Sequence, residues 1–413
     1  MSDPVHEQYE ALPYPPRNPQ DEAKRLVTGS PSRLAELNHF VFGGRRDFTK
    51  PFRALVAGGG TGDAAIMLGQ QLADAGATAA EIVYLDWSAA SRRIAEARAA
   101  VRKLTNIRFV TGSLLDLEAL KLGRFGYIDC CGVLHHLADP PAMLKRLAGL
   151  LAEDGGMGLM LYGQLGRVGV YSTQAMLKAL LGDADDVAAR LAVAKKLIAQ
   201  LPPTNWLSRN PFVTDHIIEG DAGIFDLLLH ARDRAYTVPE LDELATGAGL
   251  RLVTFVPPAR YEPASYLADA ALLRRLREKT PLERAAFAEN LAGNIKSHVF
   301  YVVRQTNGVA PPTPDHDDAI PVYCEPEVAA TARGFKPGSH LNASVDGWTA
   351  KLPLPALTPA IAQLIDGQRN LSQIYDEIRG RRPDLSKDGF MVQFRQYFAA
   401  FHGVGHLMLK LPS

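Results

Sequence analysis

Short apolar runs alternate with amphipathic stretches through the first half of the chain. A strand is predicted where a run of four or five residues is mostly apolar, and a helix where apolar residues recur every three or four positions. The strand predictions cover 54–57, 82–85, 107–110, 127–131 and 158–162. Helix-compatible sequence separates most of them. Strands joined by helical crossovers form a parallel sheet that is covered on both faces, so this pattern predicts an α/β fold.

The alternation stops after the fifth strand and later resumes. Residues 166–245 are largely helical, and an insertion there would lie beside the edge of the sheet at which open α/β sheets bind ligands. Two further strand candidates follow at 250–256 and 297–304. We therefore predict a doubly wound, mostly parallel seven-stranded sheet over residues 51–306, interrupted by a helical substrate insert.

Three segments flank the predicted sheet domain. Residues 1–50 are rich in proline, aromatic and charged side chains and are predicted to form an arm or cap, with a helix near 21–27. The stretch 307–320 is rich in proline and aspartate, which indicates a linker. Residues 321–413 carry helical patterns and end in a short strand, so they are predicted to form a small separate domain.

Composition narrows the classes of partner. Lys and Arg total 45 and Asp and Glu also total 45, so the chain has no net charge. We therefore expect neither nucleic acid nor an anionic membrane surface as a partner. The first residues lack the basic and apolar regions of an export signal, and no run of about 18 apolar residues occurs, so we expect no membrane span. Three cysteines fit neither a disulfide framework nor a zinc site, which favours a cytoplasmic location and no metal.

A glycine turn between the first strand and the first helix is the clearest chemical signal. Glycines allow a sharp turn and let the backbone lie against a ligand. The spacing Gly58-x-Gly60-x-Gly62 fits S-adenosylmethionine binding, whereas Gly60-x-Gly62-x-x-Ala65 fits a dinucleotide. Asp86, at the end of the second strand, could accept hydrogen bonds from the ribose hydroxyls of either cofactor or cap the next helix. A purely structural turn also remains open.

Five segments in order resemble the motifs of class I S-adenosylmethionine-dependent methyltransferases. They lie at 55–62, 83–86, 109–115, 131–137 and 154–157. Residues 9–17, which contain Tyr-Pro-Pro-Arg, and residues 226–233 are similar to flanking segments of a bacterial subgroup of these enzymes. The resemblance implies S-adenosylmethionine as cofactor and methyl transfer by direct displacement to a small-molecule or peptide or protein acceptor, whose reacting atom stays open.

The resemblance also implies which residues bind the cofactor. They are Gly58, Gly59, Gly60, Gly62, Asp86, Trp87, Ser113, Leu114 and Gly132. Two positions depart from the family pattern. Val56 is apolar where an acidic residue often precedes the glycines, so a polar contact toward the methionine end is missing. Ser113 stands where an aspartate commonly lies near the adenine amino group, although a hydroxyl can accept the same hydrogen bond.

A histidine pair follows the fourth strand. His135 or His136 could act as general base if the acceptor carries a proton, because the pKa of histidine is near 6.5. Both could instead be polar residues of a first helical turn. In the arm, Tyr14 could cover the sulfonium and Arg17 could grip a carboxylate, unless the arm packs for structure alone.

Substrate contacts are also predicted on the insert. His230, Arg232 and Asp233 follow an apolar run and could face the acceptor, although a solvated helix face is the alternative. In the C-terminal region, 364–374 and the strand at 407–409 resemble winged-helix modules similar to PqqD, which implies peptide binding by strand addition or packing beside the active site.

Two rival functions remain open. One is a nicotinamide-dependent oxidoreductase, which the alternative glycine spacing permits. The other is a non-catalytic adaptor that binds a peptide through its C-terminal module, which the two departures from the family pattern permit. Oligomeric state stays open.

Overall fold

A seven-stranded sheet occupies the centre of the protein, whose computed structural model describes residues 4–182 and 186–412. Its strands are β1 (Phe52–Ala57), β2 (Ala80–Asp86), β3 (Ile107–Thr111), β4 (Phe125–Cys131), β5 (Leu151–Tyr162), β6 (Leu250–Val256) and β7 (Ser297–Arg304). Their order is β3-β2-β1-β4-β5-β7-β6, and only β7 runs antiparallel to its neighbours. The predicted doubly wound, mostly parallel sheet is confirmed.

Some helices before the C-terminal region bury the two faces of this sheet, and others belong to the arm and the insert. They are α1 (Pro4–Ala11), α2 (Leu34–Glu36), α3 (Asp63–Asp74), α4 (Ala89–Val101), α5 (Leu117–Leu120), α6 (Pro140–Gly149), α7 (Val170–Leu180), α8 (Val187–Ile198), α9 (Trp206–Arg209), α10 (Asp215–Ile218), α11 (Gly220–Ile224), α12 (Val238–Gly247), α13 (Ala270–Arg277) and α14 (Pro281–Ala292). Residues of α6, α12 and α14 join the apolar core on one face, and residues of α3 and α4 join the core on the other. Alternate residues of each central strand therefore point into different cores.

The arm differs from the predicted helix near 21–27. It begins with α1, and a single 3₁₀ turn forms at Pro19–Ala23. The hydroxyl of Ser88 donates to the carbonyl of Tyr9 at 3.2 Å, and the hydroxyl of Thr61 donates to the carbonyl of Pro15 at 2.8 Å. The arm therefore lies across the carboxyl ends of β1 and β2. The first three of its 50 predicted residues lie outside the described part.

The predicted helical insert contains α7 to α11 and a π-helical turn at Phe225–Leu229, and residues 183–185 within it lie outside the described part. It has its own apolar core, to which Leu177, Leu191, Leu207 and Phe225 contribute. None of the described helices combines the length and apolarity needed to cross a bilayer.

The C-terminal region consists of β8 (Ile320–Tyr323), α15 (Pro326–Arg333), β9 (His340–Val345), β10 (Trp348–Pro353), α16 (Thr358–Leu364), α17 (Leu371–Arg381), α18 (Lys387–Gly403) and β11 (Leu407–Lys410). Strands β9 and β10 form a hairpin, and β8 pairs with β11 in an antiparallel manner, so the first and last strands close this region. The helices surround an aromatic core of their own that includes Phe390, Phe394 and Phe401.

This region is joined to the sheet domain through β11. Met408 is buried within the same core as β1 and α3, not within the C-terminal core. The Nδ1 atom of His39 lies 2.9 Å from the carbonyl oxygen of Leu409, and the carbonyl of Gly44 accepts a hydrogen bond from the amide of Leu411 at 2.9 Å. The segment that follows α2 therefore packs against both cores.

Candidate active site

A cavity of about 670 Å³ lies at the carboxyl ends of the central strands, at the point where the strand order reverses between β1 and β4. Its wall is built from the glycine turn after β1, the end of β2, the loop after β3, the end of β4, the arm and the insert. This is the position at which open α/β sheets bind their ligands. Its volume is in the range of small-molecule and cofactor sites, which is roughly 300 to 1,000 Å³.

The glycine turn leaves no room for side chains. Gly58 has φ of +75°, and a Cβ there would lie 2.4 Å from Cγ2 of Val133. Gly60 has φ of +51°, and its Cβ would lie 3.0 Å from the carbonyl oxygen of Tyr14 in the arm. Only glycine adopts this backbone without strain and lets the loop after β4 and the arm approach so closely.

Asp86 presents a buried carboxylate to the cavity and accepts hydrogen bonds from the amides of Gly60 at 2.7 Å and Ser88 at 2.8 Å. Burial raises its pKa above the usual range. The alternative role of helix cap belongs to Ser88, whose hydroxyl accepts a hydrogen bond from the amide of Ser91 at 3.0 Å. Asp86 therefore joins the glycine turn to the ligand side of β2.

Most of the predicted cofactor residues lie in the cavity wall. They are Gly58, Gly59, Gly60, Asp86, Trp87, Ser113, Leu114 and Gly132. Gly62 lies outside it and begins α3 with φ of +102°, where a Cβ would lie 2.8 Å from that of Ala95. The hydroxyl of Ser113 accepts a hydrogen bond from the amide of Leu115, so this serine also fixes the loop after β3.

The two histidines after β4 have different surroundings. His136 lines the cavity, and its Nδ1 lies 2.8 Å from the carbonyl oxygen of Arg232, so Nδ1 carries the proton and Nε2 keeps a lone pair. Burial lowers the pKa of His136 to about 4, so the ring is neutral at neutral pH. His135 lies outside the wall, stacks on Tyr162 at 3.8 Å between ring centroids, and makes no side-chain hydrogen bond to any described residue.

A second set of residues, the acceptor cluster, surrounds His136. It comprises Tyr9, His136, Tyr162, Asp226 and His230. The hydroxyls of Tyr9 and Tyr162 donate to the two oxygens of Asp226, each at 3.1 Å. The rings of His136 and His230 stack at 3.6 Å between centroids. The cluster therefore joins the arm, the loop after β4, the end of β5 and the insert.

Hydrogen bonds in the acceptor cluster define where its protons lie. The amide of Arg232 donates to Nδ1 of His230 at 3.1 Å, so the neutral ring carries its proton on Nε2, 3.4 Å from the hydroxyl of Tyr9. His136, Asp226 and His230 could offer ligand atoms to a metal ion within 4.8 Å of one another. The proton on Nε2 of His230 disfavours that use, because a metal ligand needs a free lone pair there.

The remaining residues, predicted as catalytic (Tyr14) or substrate-binding, do not all lie in the cavity wall. Tyr14 and Arg232 line the cavity, and His230 reaches it through His136 and Tyr9. Arg17 lies outside the wall, and its guanidinium donates to both carboxylate oxygens of Asp63, at 2.9 and 2.7 Å. The side chain of Arg17 therefore does not face the cavity, as a substrate residue would. It instead holds the arm against the start of α3.

Sequence reasoning did not single out Tyr9, Tyr162 or Asp226 as site residues. The available signal was a carboxylate at the head of an apolar run in the insert and a tyrosine at the very end of β5. Each is common in isolation. Only the positions of the arm and the insert over the folded sheet bring the two hydroxyls to the same carboxylate.

Comparison with known proteins identifies the chemistry of this cavity. Residues 55–157, which contain the glycine turn, Asp86 and the histidine pair, match the family model described as a methyltransferase domain. The chain contains a methyltransferase domain. The predicted enzyme class and S-adenosylmethionine as its methyl donor are confirmed, while the acceptor is not specified by this match.

Two relatives match a longer part of the chain than the family model does. An uncharacterized protein of Synechococcus sp., syc1184_c, is 28% identical over 318 residues, which are 75% of this chain and 72% of that protein. The structure of PKMT2 from Rickettsia typhi is 15% identical, covers 96% of this chain and 77% of that one, and superposes with a TM-score of 0.64. Its complex with AdoHcy is 14% identical with the same TM-score, covering 93% and 76% of the two chains. The structural likeness supports the fold.

The cavity of the methyltransferase domain has the features that its methyl donor requires. Gly58, Gly59 and Gly60 line the cavity, and the Asp86 carboxylate can accept from ribose hydroxyls. Trp87, Ser113 and Leu114 also line this cavity. When bound, S-adenosylmethionine supplies a methyl group that is already activated by its sulfonium.

We expect Asp86→Asn to weaken binding of S-adenosylhomocysteine by about 10- to 100-fold, because a charge-assisted hydrogen bond contributes roughly 1.5 to 3 kcal/mol. Isothermal titration calorimetry measures the change. Asp154→Asn, at an exposed position of β5, serves as the control and should bind like the unmodified protein. Equal affinity of both variants would contradict the role of Asp86.

Proposed function

We propose that the methyl acceptor is an amine nitrogen of a small molecule or peptide and that it binds at the acceptor cluster between the arm and the insert. The observation that carries this proposal is the buried carboxylate of Asp226 at the cavity wall, which is held by two tyrosine hydroxyls beside the neutral base His136. Carboxylate and aromatic groups together attract an ammonium ion.

The electrostatic environment supports a cationic acceptor. Among the described residues, no Lys or Arg forms an ion pair with Asp226. The buried guanidinium of Arg167, whose positive charge acts on Asp226, is instead paired with Asp233 at 2.7 Å. A buried carboxylate that is held by hydroxyls alone is costly until a cation joins it. An acceptor ammonium would provide that charge.

His136 supplies the base for such an acceptor. An ammonium nitrogen has no lone pair, so it must lose a proton before it can be methylated. The Nε2 lone pair of His136 is oriented by the hydrogen bond from Nδ1 to the carbonyl of Arg232, and the ring is neutral above a pH of about 4. The proton would pass from the acceptor nitrogen to Nε2. Tyr9, Tyr162 and Asp226 would orient the acceptor.

The arm and the C-terminal region have supporting roles in this proposal. The arm that contains Tyr14 and Arg17 closes one side of the cavity, consistent with the Tyr-Pro-Pro-Arg subgroup prediction. The hairpin β9–β10 followed by three helices supports a winged-helix-like module, which would guide a peptide acceptor or brace the cavity. Cys130, Cys131 and Cys324 are all free, which supports a cytoplasmic enzyme.

A methyl-transfer screen tests the acceptor class. Radiolabelled S-adenosylmethionine would be incubated with matched peptides and small molecules that carry either an amine or, in its place, a hydroxyl, carboxyl or thiol group. We expect label on the amines, with transfer to the best amine at least tenfold slower in Asp226→Asn. Label confined to carboxyl, hydroxyl or thiol compounds would overturn the amine assignment.

A further inference from the structure

Asp129 is a second buried carboxylate in the cavity wall. It lies in β4, is 2% exposed, and accepts a hydrogen bond from the hydroxyl of Ser32 at 2.5 Å. The same hydroxyl lies 2.9 Å from that of Tyr127. Within residues 4–182 and 186–412, no Lys or Arg forms an ion pair with this carboxylate. A carboxylate that is buried without a cation is costly, so a cationic ligand would be stabilised beside it.

The position of Asp129 in the sheet indicates which ligand group it meets. It pairs in register with Val56 of β1, and adjacent strands lie about 4.8 Å apart. Both residues line the cavity. Because Asp86 at the end of β2 marks the ribose end, a ligand that crosses β1 from there reaches β4 with its amino-acid end. The α-ammonium at that end carries positive charge.

We propose that Asp129 binds the α-ammonium group of S-adenosylmethionine. The carboxylate thereby provides, from β4, the polar contact that apolar Val56 cannot provide from β1. This inference rests on S-adenosylmethionine as the cofactor and adds a recognition residue to its site. The two buried carboxylates then have different roles, because Asp129 binds the cofactor amine and Asp226 binds the acceptor.

The hydrogen-bond network behind Asp129 fixes its position. The backbone amide of Ser32 donates to the hydroxyl of Tyr301 at 3.1 Å, and that hydroxyl donates to Glu36 at 2.8 Å. On β4 itself, the thiol of Cys131 lies 3.8 Å from the same carboxylate oxygen that Ser32 contacts. The segment before α2 and strand β7 therefore hold the carboxylate in one orientation, which favours binding of a single ammonium.

Protonation of Asp129 gives the site a pH dependence. Burial raises its pKa to about 6, so the carboxylate is charged above that pH and neutral below it. The titratable groups packed around it are Tyr127 and Cys131 on β4, Tyr301 on β7, and also Cys130 on β4 and Glu36 on α2. Burial raises the pKa of each of the first three, so they stay neutral near pH 6. Affinity for the α-ammonium should therefore fall as the pH falls through about 6.

Binding measurements with three ligands test the proposal. S-adenosylhomocysteine carries the α-ammonium, its desamino analogue lacks only that group, and 5′-methylthioadenosine lacks the whole amino-acid portion. We expect Asp129→Asn to weaken S-adenosylhomocysteine binding at least tenfold at pH 7.5 and to change the other two affinities less than twofold. Between pH 7 and pH 5 the affinity of the unmodified protein should fall about tenfold, and this fall should be smaller in the variant.

Relocation of the carboxylate provides the second arm of the test. Val56→Asp combined with Asp129→Asn moves the charge to the neighbouring strand in register, and we expect it to restore most of the lost affinity. Asp154→Asn is the matched control for loss of an aspartate. Unchanged S-adenosylhomocysteine binding by Asp129→Asn, or an equal loss for all three ligands, would overturn the inference. No binding by the unmodified protein would instead overturn the cofactor assignment on which it rests.

Discussion

Replacement of His136 by asparagine is expected to lower the rate of methyl transfer by about 10²- to 10⁴-fold, the usual contribution of a general base. The asparagine amide can still donate to the carbonyl of Arg232, which Nδ1 of His136 contacts at 2.8 Å. The substitution therefore removes mainly the lone pair on Nε2. His136 lines the cavity, and its ring is neutral at neutral pH. The affinity for S-adenosylhomocysteine should therefore change less than threefold.

The control for this prediction is His135→Phe. His135 is buried against Tyr162 and, among the described residues, neither of its ring nitrogens has a hydrogen-bond partner. Phenylalanine keeps an aromatic ring at that place and removes two buried polar atoms that are costly to leave unpaired. We expect methyl transfer within threefold of the unmodified enzyme. If both variants lost the same activity, His136 would have no role as a base. A rate ratio near one between His136→Asn and the unmodified enzyme would lead to the same conclusion.

The sheet could be predicted because each of its strands is recognisable from a short stretch of the sequence. Most strands are largely apolar runs that end at glycine or a polar residue, and the buried strands β1, β2 and β4 are short enough to be distinguished from helices. The glycine turn and Asp86 were predictable for a related reason. A tight turn after a strand and a carboxylate at the end of the next strand have fixed places in this kind of sheet.

The acceptor cluster could not be predicted in the same way. Tyr9 and Asp226 are separated by 217 positions, and Tyr162 and Asp226 by 64 positions. Their contacts depend on how the arm and the insert lie over the sheet, which no periodicity in the sequence specifies. The same reason explains Arg17, whose residue type suited a carboxylate ligand but whose nearest carboxylate is Asp63 of the protein itself.

Asp129 illustrates an intermediate case. A charged residue within the apolar run of β4 conflicts with a buried strand, and such conflicts between local pattern and fold are expected at functional sites. Its register with Val56, however, is a property of the folded sheet. The missing acid at one position and the unexpected acid at another are therefore recognisable as a pair only in the structure.

Met408→Asp is expected to destabilise the whole protein by about 4 kcal/mol or more, the range of a charge introduced into a core. Met408 is 1% exposed and belongs to the core shared by β1, α3 and the segment after α2. If the C-terminal region were an independent module, such a change would unfold only that region. Chemical denaturation followed by tryptophan fluorescence and by S-adenosylhomocysteine binding should instead show one coupled transition.

Met408→Leu is the matched control, and a volume-conserving exchange of this kind costs less than about 1.5 kcal/mol. The consequence for the site follows from Arg33, whose guanidinium donates to Glu325 of the C-terminal region at 2.9 Å and to Glu36 at 3.2 Å. These contacts and Met408 hold the segment that carries Ser32 against Asp129. Below the midpoint of unfolding, Met408→Asp should therefore weaken S-adenosylhomocysteine binding more than it weakens binding of 5′-methylthioadenosine. Two separate transitions, with cofactor binding retained after the first, would show that the C-terminal region does not brace the cavity.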